Sequence, residues 1–330
     1  MDSRELLERY RALHEQGLIS EEEYQLQVGR IKAAERARIL EEGGVAALFH
    51  LEPGIAGRVL SSQVFWVVLV LAMMPFILAF LGMPPEQGMI LYFAFLWFFL
   101  YLKLFRFNLI GAFPLDFGTA AMLVVFPGLT LLLPAFQWLL GGFYALTATR
   151  VPLLQWPGFV FGVGIAEETT KLVPVVLVLW LARRGGRRLG LQASIVLGIT
   201  AGLAFAGFEN ILYTERFGAR LFGLKFTLQD VVLSRLLMTP FLHSVWAGIT
   251  GFGAGVAAAA GPGSFIRGLR IVVPWLLFAA VLHGTYDTFS FSPVFALVTA
   301  AVSYLVLTVA VVVAKHWEGD SAAFLGGKVL

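Results

Sequence analysis

Apolar residues in this chain are gathered into long blocks separated by short polar breaks. Eight such blocks, roughly 60–82, 88–106, 118–146, 157–182, 190–214, 230–259, 269–290 and 293–315, each reach or exceed the length needed to cross a bilayer as a helix. The third and sixth are long enough to tilt or break, and Pro127 and Pro134 predict a kink in the third. Residues 1–42 follow a different rule. Leu6, Leu7, Tyr10 and Leu13 recur at helical spacing among charged residues, and Gly17 is a natural helix terminator. Ser20 with Glu23 forms a capping box that opens a second amphipathic helix through Tyr24, Val28 and Ile31, stopped by Gly43 and Gly44. Residues 45–58, with Phe49 and Leu51, are expected on the membrane surface. The pattern predicts an all-α polytopic membrane protein of about eight transmembrane helices. A soluble cytoplasmic hairpin (1–44) precedes a transmembrane domain (45–330) whose motif-bearing core is about 157–290.

Composition supports this: 58% of the 330 residues are hydrophobic and only 14% are charged. Absence of cysteine excludes disulfides, thiolate metal sites and a cysteine nucleophile. MDSRELLERY lacks the basic-then-apolar layout of a cleaved signal peptide. The net charge of +3 is small, and beyond the N-terminal segment the basic residues lie mostly in short loops, which reads as membrane orientation and not as nucleic-acid binding. With the hairpin inside, the inner loops hold Lys103 and Arg106, then Arg183, Arg184, Arg187 and Arg188, then Arg267 and Arg270, and finally Lys315. Outer loops hold only Arg150, then Arg216, Arg220 and Lys225 beside Glu215 and Asp230. The bias predicts an integral protein of the cytoplasmic membrane with both termini in the cytoplasm.

The chemistry is concentrated in four blocks. GIAEETTKLVP puts Glu167, Glu168 and Lys171 inside the fourth, where each charge costs about 2.5–3.5 kcal/mol to insert. The fifth carries Glu209 and Asn210, the sixth His243 and the seventh His283 and Asp287. Counted at about 1.5 Å per residue, this set runs from the midplane to the outer surface, with His243 deepest. Arg235, in the sixth block, lies near enough to the outer end to snorkel. His283 and Asp287 are i, i+4 and share one helix face, so they can offer two ligands to a metal or pair carboxylate with imidazole. Two histidines with carboxylates form a plausible catalytic zinc set with one position left for water. A glutamate can then take a proton from the attacking water and return it to the leaving amine. Lys171, at i+4 from Glu167 and i+3 from Glu168, can neutralise either or stabilise charge on a peptide oxygen. Asn210 suits an interhelical hydrogen bond that orients its neighbours. Glycine pairs Gly158/Gly162, Gly198/Gly202 and Gly251/Gly255 predict close approach of the fourth to sixth helices, against a lipid-facing, aromatic-rich second helix.

In these residues the chain resembles the PrsW family of intramembrane proteases, related to CAAX-type prenyl proteases and Abi-type proteins. An EExxK motif reads Glu167, Glu168, Thr169, Thr170, Lys171; an FxxxE motif reads Phe205 to Glu209; histidine motifs contain His243 and His283. Glu209 stands where the prenyl proteases use a histidine, which favours PrsW. The resemblance covers about 130 residues, 160–290, and implies a membrane-embedded peptidase whose best-known role is site-1 cleavage of an anti-sigma factor in regulated intramembrane proteolysis. The N-terminal hairpin resembles a SHOCT motif at Gly17, Leu18, Ile19, Ser20, Glu21, Glu22, Glu23 and Tyr24, a module that can support self-association.

The reading expected from the sequence is an intramembrane metalloprotease acting on a membrane-protein substrate near the extracytoplasmic side. Glu167 or Glu168 activates water; Lys171 and Asn210 tune charge and orientation; Glu209, His243, His283 and Asp287 are the pool of ligands for a divalent metal, zinc best among them. Two rivals are a proton- or ion-coupled transporter, whose carboxylates and histidines form a relay, and a non-catalytic membrane scaffold.

Overall fold

The computed structural model describes residues 3–32, 62–83, 85–149, 151–217, 220–221, 224–225, 236–259 and 265–324. The expected surface segment 45–58, the hairpin boundary near residue 44 and Arg235 lie outside these residues. The chain divides into two compact units, Met1–Ala72 and Met73–Leu330.

In the first unit, α1 (Ser3–Glu15) and α2 (residues 21–32) are two helices joined by a turn at 16–20. Gly17 adopts φ 72°, the left-handed conformation that ends a helix, and Leu18 N–H returns to the Leu13 carbonyl at 2.9 Å. Ser20 Oγ accepts from Glu23 N–H at 3.1 Å, the capping bond read from the sequence. The helices are tied at the turn by His14, which stacks on Tyr24 at 5.0 Å and meets Glu21 at 2.8 Å. None of residues 5–32 is fully buried, because two short helices enclose no core of their own. Helix α3 (Gln63–Phe80) begins in this unit.

Among the described residues, the regular structure of the second unit is helical apart from a short antiparallel ribbon, Arg220–Leu221 with Leu224–Lys225. Its helices are α4 (Pro85–Phe105), α5 (Pro114–Leu139), α6 (Gly141–Leu146), α7 (Pro152–Pro157, Gly158–Gly164 and Ile165–Arg184 in continuous succession), α8 (Leu191–Phe217), α9 (Thr239–Ala259), α10 (Phe265–Phe289) and α11 (Pro293–Phe324). Among the described residues, six helices are long and apolar enough to cross a membrane: α4, α5, α8, α9, α10 and α11. The other two expected spans are helical as well, α3 with an apolar stretch Phe65–Met74 and α7 with five acidic and basic residues, Glu167, Glu168, Lys171, Arg183 and Arg184, that dilute its hydropathy. The expected kink in α5 takes a specific form. Over Val124–Leu132, which contains Pro127, the backbone widens into a π-helix, an accommodation of a residue that cannot donate a backbone hydrogen bond.

Helices α8 and α9 form the centre. Of their most apolar stretches, 83% and 78% of residues are buried inside the bundle, against 17% for α4 and α5. Their contact is backbone on backbone: a side chain on Gly198 would strike the Ala247 carbonyl, on Gly202 the His243 carbonyl, and on Gly251 the Ser194 carbonyl. Gly158 and Gly162 serve a different neighbour from the one expected, packing on Leu146, Thr147 and Tyr144 at and beyond the end of α6. Helix α4 is not simply lipid-facing. Leu100 and Leu104 are exposed, but Tyr101 is fully buried and bonded to the Phe241 carbonyl and Ser244 of α9.

Where α7 leads into α8, loop residues close the bundle. Asp116 accepts from Phe113 N–H and pairs bidentately with Arg187 at 2.7 and 2.9 Å, while the guanidinium lies over the Phe113 ring. Glu318 of α11 accepts from the backbone and side chain of Gln192 at the start of α8. Gly198→Ala is therefore expected to lower stability by about 2 kcal/mol or more, since no flexible side chain can yield. Gly118→Ala, where a Cβ meets nothing, should be neutral; thermal unfolding in detergent compares the two.

Candidate active site

Four helices converge on one polar cluster. On α7, the π-helical stretch Gly158–Gly164 runs directly into the turn that carries Glu167, Glu168 and Lys171. Two close contacts press α7 against α10: Gly164 lies on the Ala280 backbone, and Gly284 lies on the backbone of Phe159 and Val160. His283, beside Gly284, is thereby brought against the glutamates. Gly202 under the His243 carbonyl does the same for α8 and α9.

Each histidine is gripped at both ring nitrogens. His283 Nδ1 is 2.9 Å from Glu168 Oε1, while its Nε2 is 3.3 Å from Asp287 Oδ2 and 3.7 Å from Glu167 Oε2. His243 Nδ1 is 2.6 Å from Lys171 Nζ, and its Nε2 is 3.1 Å from Glu209 Oε2. Lys171 also holds Glu168 at 2.7 Å and sits over the Phe205 ring at 4.4 Å. Glu168 and Lys171 are completely buried; the side chains of Glu209 and Asp287 are 19% and 28% exposed. The cluster thus has two sides. Behind the imidazoles, at Nδ1, stand Glu168 and Lys171. In front, at Nε2, stand Glu209 and Asp287; Glu167 lies between the rings, towards Nε2 of His283 and Nδ1 of His243.

Glu167 is the informative member. Its Oε2 is buried without a hydrogen-bond partner, although Lys171 Nζ, His283 Nε2 and His243 Nδ1 surround it at 3.6, 3.7 and 3.9 Å. Buried carboxylate oxygens normally have a partner, and Glu168 Oε2 is likewise without a hydrogen bond, so the cluster holds more carboxylate oxygens than its own donors satisfy. One ligand atom each from Glu167, His243 and His283 lie within 4.8 Å of one another. Two ligands of a tetrahedral zinc at about 2.0–2.1 Å stand roughly 3.3–3.4 Å apart, so modest closure would complete such a set. The donors, one carboxylate and two imidazoles, fit a divalent cation. The carboxylate on Nδ1 of His283 is the partner that a metal-ligating histidine ordinarily has.

The chain matches the model of the PrsW family of intramembrane metalloproteases over residues 110–314. It belongs to that family. Comparisons with curated proteins and with solved structures return no match. The PrsW match encloses every residue of the cluster and leaves the N-terminal hairpin outside. Membership in PrsW makes this an integral membrane enzyme, an intramembrane protease, and sets aside the transporter and scaffold readings.

Of the residues expected to form the site, Glu167, Glu168, Lys171, Glu209, His243, His283 and Asp287 come together. Asn210 is buried next to Glu209 in sequence, but adjacent helix positions point about 100° apart, so the two do not share a direction. Sequence reasoning passed over Trp246, whose ring stacks on His283, although its place three residues after His243 puts it on the same helix face. The buried Glu168–Lys171 pair yields a direct expectation. Lys171→Met leaves the carboxylate uncompensated and should cost about 3–5 kcal/mol of stability, much of it restored in the double variant Glu168→Gln/Lys171→Met. Thermal unfolding of the three proteins is the measurement.

Proposed function

We propose that this PrsW enzyme hydrolyses a peptide bond of a membrane-protein substrate near the extracytoplasmic side of the cytoplasmic membrane, using a divalent metal, zinc by preference. The observation that carries this reading is the buried oxygen of Glu167, without a hydrogen bond, between Nε2 of His283, whose Nδ1 is already held by Glu168, and the imidazole of His243. Glu167, His243 and His283 would hold the ion, which when bound polarises the scissile carbonyl and lowers the pKa of water. Glu168 orients His283 from behind. Lys171 balances Glu168 and fixes His243, a role that occupies it fully and separates it from the peptide oxygen. Glu209 and Asp287, the more exposed carboxylates, flank the reacting side. One of them accepts the proton of the attacking water as its oxygen bonds to the carbonyl carbon, and delivers it to the leaving nitrogen as the C–N bond breaks. This division differs from the order expected from the sequence, where the paired glutamates supplied the base and Glu209 and Asp287 the ligands. The reason for the change is the position of Glu167, whose buried Oε2 lies between the two imidazoles, while Glu209 and Asp287 are the more exposed carboxylates.

Loop charge supports an orientation with both termini cytoplasmic, and the resemblance supports site-1 cleavage of an anti-sigma-factor-like substrate in regulated proteolysis. Residues 1–44 would then be a cytoplasmic SHOCT-like module, whose half-buried apolar face suits self-association, ahead of the protease domain.

Metal analysis of protein purified in detergent without chelators tests the reading. Wild type should carry stoichiometric metal, and His283→Ala should lose it. Glu168→Gln should still bind, about 10–100-fold more weakly. Glu209→Gln and Asp287→Asn should keep the metal, and whichever supplies the base should lose cleavage of a reconstituted membrane substrate. A wild-type protein free of metal that nevertheless cleaves would overturn the assignment. Chelation of the wild type should abolish cleavage, and added Zn2+ should restore it.

A further inference from the structure

Helix α11 contributes none of the charged residues of the cluster, yet it reaches the site. Trp246 of α9 lies fully buried between them, 1% exposed. Its indole stacks on the His283 imidazole with ring centres 4.3 Å apart and planes 16° from parallel, and it meets His243 edge-on at 5.7 Å. Tyr286 closes a third side at 5.9 Å. The indole is itself fixed. Its Nε1–H donates to Ser303 Oγ at 3.0 Å, and the Ser303 hydroxyl donates to the Thr299 carbonyl one turn back on α11 at 2.7 Å. Ser303 is completely buried, so neither bond competes with water.

A ring held at its edges can still rock about the line joining them. Glu168 at Nδ1 and Asp287 at Nε2 hold two edges of His283 and leave the tilt of the imidazole plane undetermined; a flat surface laid against the ring removes that freedom. We infer that Trp246, anchored by Ser303, is a positioning residue that sets the plane of His283 and so aims Nε2 at the space shared with Glu167. Indole suits the task because it offers a broad apolar face to the imidazole and a single N–H to anchor it. Helix α11 is coupled to the metal site through this pair. The inference rests on the metalloprotease reading proposed above.

Metal affinity and the visible absorption of bound Co2+, which reports ligand geometry, provide a test independent of turnover. Co2+ is titrated into detergent-purified full-length wild type, Trp246→Leu, Trp246→Phe, Ser303→Ala and Trp275→Leu. Trp275 is a packing control: it contacts Phe252 of α9 at 5.0 Å and does not border the histidines. Trp246→Leu should weaken Co2+ binding about 10–100-fold, the range typical of lost outer-shell support. Trp246→Phe, which keeps a flat face, should recover most of the affinity. Ser303→Ala, the mildest change, should alter the Co2+ absorption bands while the protein remains folded, which keeps the test decisive if the leucine variant fails to fold. Trp275→Leu should lower thermal stability and leave affinity and spectrum unchanged. Wild-type affinity in folded Trp246→Leu, an unaltered spectrum in Ser303→Ala, or an equal loss in Trp275→Leu would each overturn the inference while the metalloprotease reading stands. Failure of the wild type itself to take up Co2+ or Zn2+ would overturn both.

Discussion

The ammonium of Lys171, enclosed by Glu168, His243 and the Phe205 ring, is the interaction on which the rest of this structure depends. A lone charge inside a bilayer is expelled or neutralised; one surrounded by an opposite charge, an imidazole and an aromatic face can remain. Because Glu168 and Lys171 are three residues apart on one helix, the pair forms within α7 and needs no other helix to exist. It does need other helices to be sheltered. That requirement accounts for the burial of α8 and α9, whose most apolar stretches are enclosed far more than those of α4 and α5.

Glycine makes the shelter tight. Where α8 crosses α9 and α7 crosses α10, backbone meets backbone at Gly198, Gly202, Gly251, Gly164 and Gly284, with no side chain between. Positions set this way are stiff, since main chains have no rotamers with which to adjust. His243 and His283 stand beside two of these contacts, which suits groups that must be held to within a fraction of an ångström.

Much of this was legible in the chain, and the reasons are uneven. Acids, histidines and a lysine in otherwise apolar blocks are conspicuous, so the cluster could be read from Glu167 to Asp287. Roles within it could not. Glu167 and Glu168 are neighbours in sequence but point about 100° apart, and which of them faces the open side depends on how α7 is rotated against α10. Trp246 and Ser303 were obscured for the opposite reason: aromatic and hydroxyl residues are ordinary in membrane helices, and only their spatial pairing is distinctive. Arg187 counted simply as a positive loop charge, because its partner Asp116 is 71 positions away. The prolines of α5 marked an irregular stretch without revealing that it would take the form of a π-helical widening.

The order in which these groups occur along the chain bears on how the protein is made. Helix α7 enters the membrane before any of α8, α9 or α10 has been synthesised, so Glu167 arrives there ahead of both histidines that later surround it. One ammonium, Lys171, travels with the helix to serve two carboxylates, Glu168 at 2.7 Å and Glu167 at 3.6 Å. Until residue 283 has emerged, α7 is therefore a poorly solvated segment with an unmet charge, best kept near the aqueous path of the insertion machinery. Biogenesis of α7 is in this sense a deferred step, completed from the C-terminal side.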